Sequence, residues 1–303
     1  IKNLDVNELV LLLDDEYQKY FKQISFSSLS IEGEYSLNSI IIQKFELKMD
    51  NDTTINLSGA IDTLNYLNSD ISITGINFSS KDIFQILKNL SLDIYTSPIS
   101  DGLLKIFNIS IKKGEINLNE MDYESILGTK IKIKGKIKDS NILSNDFDIQ
   151  MKSNSSDEII NILRKLLPSE LINNFKIDEF NMIASIKDGL LNINSLKLSY
   201  NQSSIEVSGD LNLSNLSKRN LKISLSNFNQ FNLLNAYPEQ IELINSLGIE
   251  KTNIELFLSD NDIEISKFEM IDSEKIFLTL AGDINLDNLN ESFLSIKSDE
   301  LNI

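Results

Sequence analysis

The amino-acid sequence predicts a mainly β protein with short helices, and three observations support this prediction. Apolar and polar side chains alternate along many short segments, which is the period of a half-buried strand. The polar segments between them are mostly too short for a parallel crossover, so neighbouring strands should pair antiparallel. A phrase that contains a glycine recurs about every 75 residues. We therefore expect four repeats, each with four strands and one short helix.

The repeat is clearest at residues 203–228, SSIEVSGDLNLSNLSKRNLKISLSNF. The apolar residues of this segment share one parity along two strands separated by a polar turn: Ile205, Val207, Leu211, Leu213, Leu221, Ile223 and Leu225. Gly209 interrupts this parity, and a missing side chain there permits a bulge, a bend or the close approach of another backbone. The segment therefore predicts two half-buried strands joined by a turn.

Glycines mark the same phase of each repeat. The segments TINLSGAI, KIKIKGKI, SIEVSGDL and FLTLAGDI contain Gly59, Gly135, Gly209 and Gly282. These glycines are 76, 74 and 73 residues apart in a chain with only 11 glycines, which indicates a true repeat. We expect one continuous repeat array over residues 1–303, with repeats at 22–92, 93–168, 169–247 and 248–303. Residues 1–21 would then be the end of a preceding repeat.

Taken in order, the chain opens on the end of a strand at residues 1–5. The first repeat should contain strands at 29–37, 40–49, 55–61 and 71–78, and the second at 104–111, 115–123, 130–137 and 147–151. The third should contain strands at 176–186, 191–200, 205–213 and 221–228, and the fourth at 254–258, 263–270, 276–284 and 293–297.

Helices are expected between the four-strand groups, at about 7–21, 81–92, 156–167 and 231–247. The helix at 156–167 has clear end signals, because Ser155 and Glu158 resemble a capping box and Pro168 would stop it. Pro238 should break or delay the helix that follows. Candidate N-cap residues recur near the repeat spacing: Asp5, Ser79, Ser155, Asn229 and Asp299.

Helices of about 12 residues are too few to cover the apolar face of so many strands. The sheet can close as a barrel or sandwich, or it can form an elongated, twisted antiparallel sheet curled into an apolar groove. A repeat array adds strands along one axis, which favours the groove. The predicted lining consists of alternating apolar residues: Ile55, Leu57, Ile131, Ile133, Ile205, Val207, Leu211, Leu213, Leu221, Ile223, Leu225, Ile254, Leu256, Ile276, Leu278 and Leu280.

Composition argues against several function classes. The net charge of −17 at pH 7 repels phosphate backbones, so we expect no nucleic-acid partner. The chain has neither cysteine nor histidine, which rules out a Cys/His zinc site or a Ser-His-Asp triad, and we expect no metal and no cofactor. Asp210 and Asp283 suggest paired carboxylates as in glycoside hydrolysis, but the equivalent positions hold Ala60 and Lys136. We therefore expect a protein that is not an enzyme.

One local region reverses the acidic balance of the chain. Eight lysines between residues 105 and 138 face four acidic residues: Lys105, Lys112, Lys113, Lys130, Lys132, Lys134, Lys136 and Lys138 against Glu115, Glu120, Asp122 and Glu124. The simpler interpretation is a solvated outer strand face, and the alternative is a binding patch.

The cycle of an alternating strand, SGDLNLSNL, a further strand and NFNQFNLLNAY resembles the AsmA-like family of bacterial envelope proteins. Residues 1–13 (IKNLDVNELVLLL), 73–87 (ITGINFSSKDIFQIL) and 296–303 (IKSDELNI) are similar to the point where a strand of that family runs into the next helix. Residues 188–200 (DGLLNINSLKLSY) are similar to the strand before its glycine. The likeness covers essentially the whole chain and consists of alternation and phase.

This resemblance implies a bridge-like protein that carries phospholipid along a hydrophobic β-groove between the inner and outer membranes. We expect a periplasmic location, with anchoring in the inner membrane by a segment outside this chain, which shows no signal peptide and opens on Ile1. Expected partners are phospholipid or another acyl-chain lipid, the membrane through parts absent here, and envelope proteins. The alternative is a non-catalytic structural or adhesive β-repeat protein of the envelope without lipid cargo.

Overall fold

The structure, a computed structural model, describes residues 2–4, 26–49, 52–65, 68–79, 101–138, 145–163, 177–200, 202–228, 250–272 and 275–298. These residues form a mainly β protein, with 17 strands of an antiparallel sheet and one short α-helix, as the alternation predicts. The chain divides into two compact units, Ile1–Asp148 (unit 1) and Ile149–Ile303 (unit 2).

Unit 1 is a meander in which strands β1 to β8 each pair antiparallel with the next strand along the chain. The strands are β1 (Lys2–Leu4), β2 (Phe26–Ser36), β3 (Ser39–Met49), β4 (Thr54–Asp62), β5 (Asp70–Ser79), β6 (Gly102–Lys112), β7 (Glu115–Ser125) and β8 (Lys130–Ile137). Strand β9 (Asp146–Ser153) contains the boundary between the units.

Unit 2 repeats this pattern, because strands β10 to β17 also pair antiparallel in chain order. Its helix is α1 (Ser156–Leu163), and a 3-10 turn lies at Leu289–Glu291. The strands are β10 (Glu179–Lys187), β11 (Leu190–Tyr200), β12 (Ser203–Asn212), β13 (Arg219–Phe228), β14 (Lys251–Leu258), β15 (Asp262–Asp272), β16 (Lys275–Asn285) and β17 (Phe293–Ser298).

Every predicted strand is present, and the differences lie at the strand ends. Most strands extend by a few residues beyond the alternating segment, because ladder pairing continues through polar residues. Strand β10 instead begins at Glu179 rather than at 176, after a bend at Asp178, and β2 and β12 each end one residue before the predicted end.

Helix α1 confirms the helix predicted from residue 156, and residues 164–167 of that prediction lie outside the described residues. The Ser155 hydroxyl accepts a hydrogen bond from the Glu158 backbone N–H at 3.4 Å, as the capping signal predicts. The helices predicted at 7–21, 81–92 and 231–247 also lie outside the described residues. No helix within the described part of the chain is long and apolar enough to span a membrane.

The repeat glycines share one backbone geometry. Gly59, Gly135, Gly209 and Gly282 have φ values of 129°, 156°, 120° and 148°. A Cβ at any of them would overlap a carbonyl oxygen of the following strand, which for Gly209 is the oxygen of Asn220. Each glycine therefore permits a close backbone approach that other residues would prevent.

A bulge accompanies each glycine on the preceding strand. In β12, Gly209 lies opposite Ile193 of β11, and Val207 lies opposite Leu196, so two residues of β11 oppose one residue of β12. The other copies have the same register shift between Ile42 and Phe45, between Leu118 and Met121, and between Ile265 and Phe268. A bulge of this kind bends the strand and increases its twist.

The turns after the glycine strands also repeat. The side-chain carboxylate oxygen of Asp62 accepts hydrogen bonds from the backbone N–H groups of Leu64 and Asn65, both at 2.9 Å. Asn212 and Asn285 each accept two backbone N–H groups in the same way. The bonds from Asn65 and then Leu64 hold the pKa of Asp62 below its ordinary value.

Candidate functional site: an apolar face on each unit

The apolar face of unit 2 is organised into rows that cross the strands. One row contains one apolar residue from each strand between β10 and β17, and each member lies directly opposite the next. This row, called row 2, consists of Phe180, Leu198, Ile205, Leu225, Ile254, Phe268, Leu280 and Ile296. Directly opposite residues of an antiparallel pair project from the same face, so row 2 is a continuous apolar band.

A second row of unit 2 lies two residues further along the strands. This row, called row 3, consists of Met182, Leu196, Val207, Ile223, Leu256, Ile265, Gly282 and Leu294. In β12, the member of row 3 is Val207, two residues before Gly209, whereas in the equivalent strand β16 the member is Gly282 itself. The position of the row relative to the repeat glycine is therefore displaced by two residues between these strands.

Unit 1 has an equivalent band, called row 1, across β2 to β8. It consists of Ile31, Phe45, Leu57, Ile73, Ile109, Leu118 and Gly135. In β4, the member of row 1 is Leu57, two residues before Gly59, whereas in the equivalent strand β8 the member is Gly135 itself. Row 1 therefore shows the same two-residue displacement as row 3.

One end of the apolar face of unit 1 is packed. Leu29, Leu47, Met49, Phe78 and Leu104 form a buried cluster, against which row 1 residues Ile31 and Phe45 pack. The Phe78 and Phe107 rings lie 5.3 Å apart at an angle of 55°, which is a favourable aromatic geometry. Phe107 occupies the space that a side chain at Gly75 would fill.

The predicted lining residues all fall within the described part of the chain. Fifteen of the sixteen are half-buried, and Ile276 is 44% exposed. Eight of them lie in rows 1, 2 and 3. Two more, Ile55 and Ile133, lie in a further row of unit 1 that also contains Leu47, Phe107 and Met121. The remaining six flank these rows: Ile131, Leu211, Leu213, Leu221, Ile276 and Leu278.

Large side chains on these faces were missing from the predicted lining. They are Phe45, Phe107 and Met121 in unit 1, and Phe268 in unit 2. Phe45, Met121 and Phe268 follow bulges, where the apolar alternation changes phase. That phase change is the sequence signal that identifies them.

The opposite strand face is polar and carries cross-strand ion pairs. The Lys197 ammonium lies 2.9 Å from the Glu206 carboxylate, and this bond raises the pKa of Lys197 above its ordinary value. The Lys132 ammonium lies 3.2 Å from the Asp122 carboxylate, and Lys132 is on the same strand as Ile131 and Ile133. Because successive side chains of a strand point to opposite faces, these charged residues project from the face opposite the apolar rows.

The lysine-rich segment belongs to this polar face. Seven of its eight lysines form ion pairs with carboxylates: Lys105, Lys112, Lys130, Lys132, Lys134, Lys136 and Lys138. Lys105 donates a hydrogen bond to Glu124, which raises the pKa of Lys105 and lowers that of Glu124. The mutual pairing supports the solvated-face interpretation over a binding patch.

Buried hydroxyls fix the ends of two equivalent strands. Thr53 donates from Oγ1 to the Asn77 carbonyl at 2.8 Å, and Ser203 donates from Oγ to the Asn227 carbonyl at 2.8 Å. Asn77 and Asn227 both have positive φ, at 61° and 51°. The hydroxyls therefore stabilise an unusual backbone conformation at the same point of two repeats.

The carboxylates considered for catalysis lie on different strands with different partners. Asp210 accepts a hydrogen bond from the Asn192 side-chain amide at 2.6 Å, and Asp283 lies opposite Glu264. Among the described residues, no group of three or more acidic, His or Cys side chains is arranged to hold a metal ion.

No protein-family model, curated protein or solved structure matches this chain.

Proposed function

We propose that this chain binds lipid acyl chains on its apolar faces and acts in bridge-like phospholipid transport across a bacterial envelope. The observation that carries the proposal is row 2, where apolar residues from eight consecutive strands lie directly opposite one another. At about 4.8 Å per strand, this row is about 34 Å long. Such a length suits an extended hydrocarbon chain better than a compact ligand.

The energetics favour an apolar face as a lipid path. Moving one acyl chain of about 16 carbons into water costs roughly 13 kcal/mol, at about 0.8 kcal/mol per methylene. An apolar band such as row 2, in which six of the eight residues are half-buried, offsets much of this cost. The periplasmic location and inner-membrane anchoring are part of the proposal and derive from the AsmA-like resemblance.

Native mass spectrometry of the purified chain tests lipid binding. We expect several phospholipid molecules per chain, released when the collision energy is raised. A clean apo mass under gentle conditions would instead support the structural or adhesive β-repeat alternative.

Photo-crosslinking tests which face binds. A photoreactive residue at Val207, in row 3, should capture acyl chains, whereas the same residue at its exposed neighbour Glu206 should not. The two sites differ by one residue on one strand, so they form a matched pair. Equal capture at both would contradict the assignment of the apolar face as the lipid site.

A further inference from the structure

One position in the turn after the glycine strand departs from the repeat in unit 2. The residue three positions after each repeat glycine donates its backbone N–H across this turn. In three repeats the acceptor is a side-chain oxygen seven residues further on, and the pairs are Asp62 with Ser69, Lys138 with Asn145, and Asn285 with Ser292, at 3.1, 2.6 and 3.0 Å. The third repeat has Arg219 at the acceptor position, and the Asn212 N–H donates to the backbone carbonyl of Lys218 at 3.0 Å instead. This turn therefore closes without using the Arg219 side chain.

Arg219 lies at the border of the apolar face of unit 2. It is the first residue of β13, it is half-buried, and it lies directly opposite Leu211 of β12. The pairing of these two strands shows no register shift, so Arg219 projects from the same face as Leu221 and the row 3 residue Ile223. Four residues separate Arg219 from row 3, which is about 14 Å along the strand.

The charge of Arg219 is unusual on this face. Strands β12 and β13 contain three other charged residues, Glu206, Asp210 and Lys222, and all three have the opposite parity and project from the polar face. Arg219 is therefore the one charged residue of these two strands that borders the apolar rows.

The Arg219 guanidinium has hydrogen-bond donors to spare. Its Nε–H donates to the Ser259 carbonyl at 3.4 Å, and the Asp260 carboxylate accepts the backbone N–H of Arg219 at 2.8 Å. Within the described part of the chain, the Nη1 and Nη2 groups form no hydrogen bond and no ion pair. Their N–H donors have the planar geometry that binds two oxygens of a phosphate at once.

The choice of arginine supports this chemistry. The chain has two arginines among its 28 basic residues, so lysine is its ordinary cation. A lysine ammonium is sufficient for a solvated positive charge, whereas a guanidinium binds phosphate through two parallel hydrogen bonds. An apolar face with a guanidinium at its border matches a ligand that has both hydrocarbon chains and a phosphate.

We propose that Arg219 binds the phosphate of a phospholipid whose acyl chains lie on the apolar face of unit 2. This inference rests on the proposed function and adds the part of the lipid that the apolar rows do not recognise. The acyl chains contact the half-buried residues beside the guanidinium, Leu211 and Leu221, and continue into row 3. Arg219 thus makes the site favour lipids with a phosphate over neutral lipids with the same chains.

Native mass spectrometry with defined lipids tests this preference. The delipidated chain is mixed with dioleoylphosphatidylethanolamine or with dioleoylglycerol, which have the same acyl chains and no net charge. We expect the wild-type chain to bind the phospholipid about five- to tenfold more tightly, because charged hydrogen bonds at a half-exposed position supply a difference of this size. Arg219→Ser should abolish the preference and leave dioleoylglycerol binding unchanged.

Three comparisons separate phosphate binding from a structural role of Arg219. Arg219→Ser introduces the residue that two other repeats have at this position, so its thermal unfolding should match that of the wild type. Arg219→Lys should retain part of the preference, because it keeps the charge but loses the paired donors. Lys218→Ser removes a positive charge from the adjacent exposed turn residue and should leave both affinities unchanged.

The possible results distinguish this inference from the proposed function. A wild-type chain that binds neither lipid would overturn the proposed function, and the inference with it. Equal affinities of the wild-type chain for both lipids, or a preference that survives in Arg219→Ser, would overturn the inference alone. So would an equal loss in Lys218→Ser. Displacement of the phospholipid by millimolar inorganic phosphate would indicate a site for free anions and would also overturn it.

Discussion

At the scale of single residues, the repeat depends on glycine for two separate physical reasons. Gly209 has a φ of 120°, a region that residues with a side chain rarely adopt. It also faces the Asn220 carbonyl oxygen so closely that a Cβ would overlap it. Gly128 has a φ of 93° but nothing within 4 Å of the position of a Cβ. The two sites therefore separate backbone strain from steric overlap.

Gly209→Ala should destabilise the protein by about 3 kcal/mol or more, because strain and overlap act together. Gly128→Ala should cost about 1 kcal/mol, because it introduces strain alone. Urea unfolding followed by circular dichroism measures both. Equal losses of stability in the two variants would show that the carbonyl contact contributes nothing.

The Lys105–Glu124 pair predicts a pH dependence with two limits. The stabilisation from Glu124 is present above its ordinary pKa of 4.5 and is lost as the pH falls through its lowered pKa in the folded protein. The stabilisation from Lys105 is present below its ordinary pKa of 10.5 and is lost as the pH rises through its raised pKa.

Lys105→Ala should therefore lower the melting temperature slightly at pH 7. The difference from wild type should narrow as the pH falls through the lowered pKa of Glu124, because below it the Glu124 carboxylate is protonated in both proteins. Lys218→Ala serves as the control for losing a positive charge. A difference in melting temperature that stays the same down to the acid limit of folding would contradict the role of the ion pair.

At the scale of strands and turns, the sequence predicted the strands well because alternation and turn residues are local signals. It allowed a bulge at Gly209 as one of three possibilities, but it did not locate the bulges on the preceding strands, because a bulge depends on how two strands pair. The signal was nevertheless present in β3, where the apolar parity of Ile40 and Ile42 gives way to that of Phe45 and Leu47. The same phase change in β7, β11 and β15 explains why Met121 and Phe268 were absent from the predicted lining.

The buried hydroxyls could not be predicted for a related reason. Thr53 precedes β4, and its hydrogen-bond acceptor is the carbonyl of Asn77, far along the chain. No local pattern connects these two residues. Only the folded sheet brings a buried donor to a carbonyl at this position.

Thr53→Val keeps the shape of the side chain and removes its donor, so it should cost about 1–3 kcal/mol. The loss arises because the Asn77 carbonyl loses the hydrogen bond from the hydroxyl. Thr63→Val, at an exposed turn position, is the matched control and should change stability by less than about 0.5 kcal/mol. Denaturant unfolding distinguishes them, and equal stabilities would refute a structural role for the Thr53 hydroxyl.

At the scale of the whole molecule, the proposed function requires the apolar rows to face solvent and not a closed interior. Val207 is a half-buried member of row 3, whereas Ile159 of α1 is 1% exposed. A carboxylate at a solvent-facing position remains hydrated. At a fully buried position it loses its water without gaining a partner.

Val207→Glu should consequently cost less than about 1 kcal/mol, while Ile159→Glu should cost several kcal/mol or prevent folding. We also expect Val207→Glu to reduce lipid occupancy in native mass spectra, because a charge interrupts the acyl path. Thermal unfolding measures the stability of both variants, and native mass spectrometry measures the lipid occupancy of Val207→Glu. Severe unfolding of Val207→Glu would show that row 3 lies inside a closed core.

The two-residue displacement of the rows shifts each repeat along the strand direction relative to the repeat before it. Row 3 contains Val207 in β12, two residues before Gly209, and Gly282 in β16. The register relative to the repeat glycine therefore advances by two residues over the four strands from β12 to β16. This corresponds to an advance of about 7 Å along the strands for about 19 Å across them, or an inclination of about 20°. A hydrocarbon chain that follows equivalent positions from repeat to repeat must therefore move obliquely. The pitch of the path is set by hydrogen-bond register and not by the side chains that line it.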